Sequence, residues 1–93
     1  MEIHVKLYGP LSLMVGKRSF MMKIDQVNVD VKDFITILGL RIPQFRRCLN
    51  DTNIEEILKQ KILLIINDEP CACAAKIIKD GDKIQILTPI KGG

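Results

Sequence analysis

Apolar and polar residues alternate over positions 2–8, with Ile3, Val5 and Leu7 on one side and Glu2, His4, Lys6 and Tyr8 on the other. A period of two is the signature of a half-buried strand. Gly9-Pro10 interrupts it, and Leu11 to Val15 predicts a short helical connection that ends at Gly16. Alternation returns over 18–25, where Phe20, Met22 and Ile24 share a side. Two amphipathic strands joined this closely pair antiparallel. The period then lengthens. Asp30 reads as a helix N-cap, Asp33 suits the positive end of the helix, and Val31, Phe34, Ile35 and Leu38 recur at one-face helical spacing. Gly39 is the expected stop, and Pro43 can open a second short helix through Leu49. Asn50-Asp51-Thr52-Asn53 signals a loop, and 54–60 fits a helical turn or an irregular connection equally.

Lys61 to Asn67 is rich in β-branched residues and shows no alternation, which predicts a strand covered on both faces. Asn67-Asp68-Glu69-Pro70 turns the chain, and a short edge strand is expected around Cys71. Asp80-Gly81-Asp82 is a tight turn before a last strand at 83–88, with Ile84, Ile86 and Thr88 on one face and Lys83, Gln85 and Leu87 on the other. The element order describes an α+β domain, a mixed sheet packed on one main helix. Its expected core is Ile3, Val5, Leu7, Phe20, Met22, Ile24, Phe34, Ile35, Leu38, Leu64, Ile66, Ile84 and Ile86. The chain divides into this domain, 1–88, and a flexible C-terminal tail, 89–93.

Composition narrows the function. At 93 residues, 47% hydrophobic and 27% charged, the chain suits one small globular core. The apolar run Ile62 to Ile66 is too short to span a bilayer, and Met1-Glu2-Ile3-His4 has no signal-peptide pattern. A cytoplasmic protein without a membrane partner is expected. A net charge of +3 is too small to argue for nucleic acid, and no aromatic residues interleave with Arg41, Arg46 and Arg47 to stack bases. Those arginines read as a solvated basic edge or as a dock for an acidic protein. Cys48, Cys71 and Cys73 lack zinc-site spacing, so free thiols and no metal are expected. The single histidine, His4, sits on the polar side of its strand and is expected to be a surface residue.

Two features remain to be explained. Tyr8 and Leu87 are apolar residues pointing away from the expected core, each at the C-terminal end of a strand. If those strands are parallel neighbours, the two side chains meet beside the tail and form a small apolar patch. The chain also finishes on Gly92-Gly93. Glycine loses the most freedom on ordering, so the pair stabilises nothing there. It suits a frayed end, and equally a carboxylate narrow enough to enter another protein's active site.

Asp80-Gly81-Asp82, a short strand, Pro89, an aliphatic residue and Gly92-Gly93 together resemble the end of the MoaD/ThiS family of ubiquitin-like sulfur carriers. Leu11 to Gly16 is similar to that family's first crossover, and Lys61 to Asn67 to its third main strand. The resemblance implies a ubiquitin-like β-grasp fold with the first and last strands parallel at the sheet centre. It implies no enzyme activity for the chain alone. A ubiquitin-activating-type adenylating enzyme would use ATP to convert the Gly93 carboxylate to an acyl adenylate, and a sulfur donor would leave a thiocarboxylate. The chain would bind no cofactor. Gly92 and Gly93 would be the reactive end, and Tyr8, Leu87, Pro89, Ile90 and Lys91 would contact partners. The length of 41–60 makes the chain most similar to the molybdopterin synthase small-subunit branch, whose large subunit would receive the tail. Sulfur delivery to thiamine or tRNA, and ubiquitin-like protein modification, share the same activated terminus.

Overall fold

The computed structural model describes residues 1–49 and 53–88. Strand β1, Glu2–Leu7, buries every second residue. Pro10, which needs no backbone donor at a first helical position, opens the six-residue α1, Pro10–Val15, and Leu11 anchors that helix in the core. Strand β2, Ser19–Lys23, returns antiparallel to β1, with Met22 opposite Ile3 and Phe20 opposite Val5.

The two-residue β3, Val29–Asp30, leads directly into α2, Val31–Arg41. The Asp30 carboxylate accepts from the Asp33 backbone N–H at 2.8 Å, as the N-cap spacing predicts. Val31, Phe34, Ile35 and Leu38 are all buried, so α2 lays its apolar stripe on the sheet. Gly39 does not stop this helix. It is buried inside it, facing Arg46 of α3, Pro43–Leu49, and the helix ends only where Ile42 turns extended before Pro43. Arg41 donates to the Lys23 carbonyl and ties the end of α2 to β2.

Residues 54–60 resolve as helix α4, Ile54–Glu56, capped by the Asn53 side chain, and a π-helical turn, Ile57–Lys61. The Ile62 N–H reaches back to the Ile57 carbonyl at 3.0 Å, and Ile57, Leu58 and Ile62 are buried. Strands β4, Leu63–Ile66, and β5, Glu69–Cys71, form a hairpin. Asn67 and Asp68 both have positive φ (51° and 70°), as a tight two-residue hairpin turn requires. Strand β6, Ile77–Ile78, pairs with β3 as a small second sheet. Strand β7, Lys83–Leu87, closes the main sheet, whose order is β2-β1-β7-β4-β5. Strands β1 and β7 are parallel, and β4 runs antiparallel to β7.

The expected core is buried except Phe20, which packs partly exposed against its edge. Val31 of α2 joins it, and Leu11, Val29, Phe45, Ile57, Leu58, Ile62 and Ile78 complete it from segments too short to show a period. Strand β4 is not covered on both faces: Leu64 and Ile66 are buried, whereas Leu63 is 45% exposed and Ile65 half-buried. The helices cover one face of the sheet and leave the other open.

Candidate functional site

The site begins with a turn at the far end of the sheet. Gly81 has a φ of 84°, a conformation that disfavours any residue with a Cβ. The aspartates on either side of it use their carboxylates on backbone. Asp80 accepts from the Glu2 N–H at 2.6 Å, and Asp82 accepts from the Lys79 N–H at 2.8 Å. The other Asp82 oxygen accepts from the Asn67 side-chain amide at 2.8 Å, and the Asn67 side-chain oxygen accepts from the Lys83 N–H at 3.0 Å. Backbone bonds from Gly81 to Glu2 and from Asn67 to Lys83 complete the clamp. The start of β1, the end of β4 and the start of β7 are thereby held in one register.

That register decides which side chains meet at the other end. Leu7 pairs with Ile86, and the Tyr8 N–H donates to the Ile86 carbonyl at 3.1 Å, so Tyr8 lies beside Leu87. Leu87 in turn pairs with Leu63 of β4. Tyr8 (36% exposed), half-buried Leu87 and Leu63 thus form an apolar row on the open face, beside the point where β7 ends. The Lys6 ammonium stands 5.9 Å from the Tyr8 ring centroid, within cation–π range. Large apolar groups at the edge of an uncovered face are suited to contact with another protein, because burying them releases ordered water.

The structure brings Tyr8 and Leu87 together as the parallel-strand condition requires. Pro89, Ile90, Lys91, Gly92 and Gly93 lie outside the described residues, as do Asn50, Asp51 and Thr52. Leu63 was hidden from sequence reasoning because every residue from 62 to 66 is apolar and gives no alternation to follow. Counting back in steps of two from the Asn67 turn, with β4 beside the last strand, would have found it. His4 is exposed on the open face beside Lys83. The Cys71 thiol donates weakly to the Cys73 carbonyl at 3.7 Å, and both cysteines are free. Among the described residues, no group of three or more His, Cys, Asp or Glu could hold a metal, and no helix is long and apolar enough to cross a membrane.

A family model, that of the ThiS family, matches residues 5–93. SAMP1 from Haloferax volcanii is similar over 100% of both chains, at 20% identity and a TM-score of 0.77. A putative molybdopterin converting factor subunit 1 from Pyrococcus furiosus is similar over 97% of this chain and 99% of its own, at 16% identity and a TM-score of 0.77. The complex of subunits 1 and 2 of the molybdopterin-converting factor from Helicobacter pylori 26695 contains a chain similar over 100% of both, at 24% identity and a TM-score of 0.64. Identities this low establish a shared fold. A search of curated proteins finds no significant match.

Proposed function

Because the chain belongs to the ThiS family and has the ubiquitin-like β-grasp fold of ThiS/MoaD-type sulfur carriers, we propose that it carries sulfur on the Gly93 carboxylate as the small subunit of a molybdopterin synthase. The observation that carries this reading is the family match through Gly93, on a chain whose central strand β7 ends beside an exposed apolar row. A carboxylate is a poor electrophile, so its activation has to come from a partner. A ubiquitin-activating-type adenylating enzyme would join the Gly93 carboxylate to the α-phosphate of ATP, releasing pyrophosphate. Hydrosulfide would then attack the acyl carbon and expel AMP, leaving a thiocarboxylate. The apolar row Tyr8, Leu87 and Leu63 would dock on the enzyme while residues 89–93 enter its active site. The same face would then present the thiocarboxylate to a large synthase subunit. The Helicobacter pylori neighbour, a complex of subunits 1 and 2, supports a two-subunit assembly.

A second reading has its own support. SAMP1, a small archaeal modifier protein, is similar over the whole chain. Gly93 would then also be transferred to lysine amines of other proteins.

The test is incubation of the chain with the adenylating enzyme of the same genome, ATP and sulfide. The intact mass should rise by the exchange of one oxygen for one sulfur, and deletion of Gly93 should abolish the change without lowering Tm. An unchanged mass with an active enzyme rejects the carrier role. Adding the large subunit and a pterin precursor should consume the thiocarboxylate. Branched peptides ending in Gly93 on lysines would favour the modifier reading instead.

A further inference from the structure

The two edges of the main sheet are not alike. At one edge, β5 is three residues long and contains Pro70, which has no backbone donor. At the other, β2 runs for five residues without proline or glycine. Antiparallel pairing lets alternate residues bond to the neighbouring strand and turns the others outward. The Leu7 N–H donates to the Arg18 carbonyl at 2.7 Å, and the Ile24 N–H to the Met1 carbonyl at 2.9 Å. The backbone groups of Arg18, Phe20, Met22 and Ile24 therefore face β1, and those of Ser19, Met21 and Lys23 point away from the sheet. The Lys23 carbonyl accepts from Arg41. The Ser19 and Met21 groups and the Lys23 N–H have no partner strand among the described residues. Apolar surface flanks this row on both sides, with Met21 48% exposed on the open face and Phe20 half-buried on the helical one.

An unpaired strand edge is a template for another extended chain. The charges around it select which chain. Lys17 and Arg18 stand at one end of β2, and Lys23 and Arg41 at the other, all four exposed. The Lys17 ammonium is 5.7 Å from the Phe20 ring centroid, which keeps it beside the strand. In β1, β2 and the residues flanking β2, the acids are Glu2, opposite Lys23, and Asp25. A second copy of this chain would bring two basic sets together, and like charges set against each other oppose pairing. The same charges attract an acidic strand. A nucleic acid answers the charge but not the backbone row, which needs donors and acceptors at strand spacing. We infer that β2 is a docking edge for an extended segment of another protein, apolar at its centre and acidic at both ends. That segment pairs its backbone with Ser19, Met21 and Lys23, and its carboxylates meet Lys17, Arg18 and Arg41. Strand β1 separates this edge from β7, so the added strand leaves Leu87 and Leu63 uncovered. The inference does not rest on the sulfur-carrier reading.

The probe is a capped synthetic peptide with a valine–threonine–valine–threonine–valine centre and two glutamates at each end. With near-saturating peptide, NMR hydrogen exchange on the full chain should slow at Ser19, Met21 and Lys23 by about ten-fold or more. Phe20 and Met22, already bonded to β1, should keep their rates. A peptide methylated on its central backbone nitrogens, or one with lysines for glutamates, should bind about ten-fold or more weakly, with the protein itself unaltered. The variant Lys17→Glu/Arg18→Glu should weaken binding of the original peptide by about ten-fold or more. The control Lys32→Glu/Lys59→Glu makes the same change in net charge in a groove shared with Asp30 and Glu55, and should stay within about two-fold. Equal weakening by both pairs, or binding that protects none of the three outward amides, overturns the inference. Protection of those amides in the free chain, rising with its concentration, would assign the edge to a second copy and also overturn it. So would binding of duplex DNA at this edge with no binding of the peptide. Deletion of Gly93 should leave peptide binding unchanged, so a failure of this edge is read apart from a failure of the carrier chemistry.

Discussion

The two faces of one sheet divide the work of this molecule. In β1, Ile3, Val5 and Leu7 are 0%, 1% and 2% exposed, while the alternate residues Glu2, His4 and Lys6 are exposed. Successive strand residues point to opposite sides, so a single strand serves both faces without compromise. The covered face holds the apolar area that folds the chain. The open face holds apolar groups that folding leaves in contact with water, among them Tyr8, Leu63 and Leu87. A change on one face should therefore be read in stability, and a change on the other in association.

The largest break in that division should come from Phe34. Its side chain is fully buried, on the stripe where α2 meets the sheet. Phe34→Ala removes a ring from a close-packed interior and should destabilise the domain by about 3–5 kcal/mol. For a domain of this size, that lowers Tm by roughly 15 °C or more in a calorimetric scan. Below the new Tm, the rate of association with the proposed adenylating enzyme should be unchanged. A Tm shift of only a few degrees would mean that α2 is not the main counterweight to the sheet.

Leu87→Glu tests the other side. Leu87 sits at the centre of the exposed row, between Tyr8 and Leu63, and is only half-buried in the free chain. A carboxylate there would be pressed against an apolar socket on docking and lose its hydration. Affinity for the enzyme should fall by about 2 kcal/mol, roughly 30-fold, as for a hot-spot residue. Titration calorimetry measures this, and a thermal melt should show Tm nearly unchanged. Equal affinity with a lowered Tm would place Leu87 among the folding residues and dissolve the contrast between the faces.

How legible each face was in the sequence follows the same contrast. Strands β1, β2 and β7 alternate because water sees one side and core the other, and the stripe of α2 follows for the same reason. The tail-end pair, Tyr8 and Leu87, stood out as apolar residues on the polar side of their strands. Strand β4 was misread because its outward residues, Leu63 and Ile65, are apolar too, so polarity carries no period there. Strands β3 and β6 are two residues each, below the length at which any period exists. Phe45 and the Ile57-Leu58-Ile62 group reach the core from short helices and a π turn, which no single spacing describes. The Asp80-Gly81-Asp82 turn was recognised. Its clamp to Glu2 and Asn67 was not, because hydrogen bonds across 78 and 15 residues leave no local trace.

The smallest effect sharpens the contrast, and concerns Gly39. In sequence it looked like a helix stop, since glycine is common just past helix ends. In the structure it is an interior residue of α2 at its contact with α3. A Cβ placed there would meet the Arg46 Cβ at 3.6 Å, an ordinary van der Waals separation, and no other atom lies closer. Interior helical glycine is less favourable than alanine by about 0.5–1 kcal/mol, because the unfolded chain has more freedom to lose. Gly39→Ala should therefore stabilise the domain by about 0.5–1 kcal/mol, raising Tm by a few degrees. Enzyme association should not change, because α2 lies across the sheet from the apolar row. A lower Tm would mean that α2 and α3 need a closer approach than 3.6 Å allows. A slower association would mean that the helical layer, and not the open face alone, sets how the chain docks.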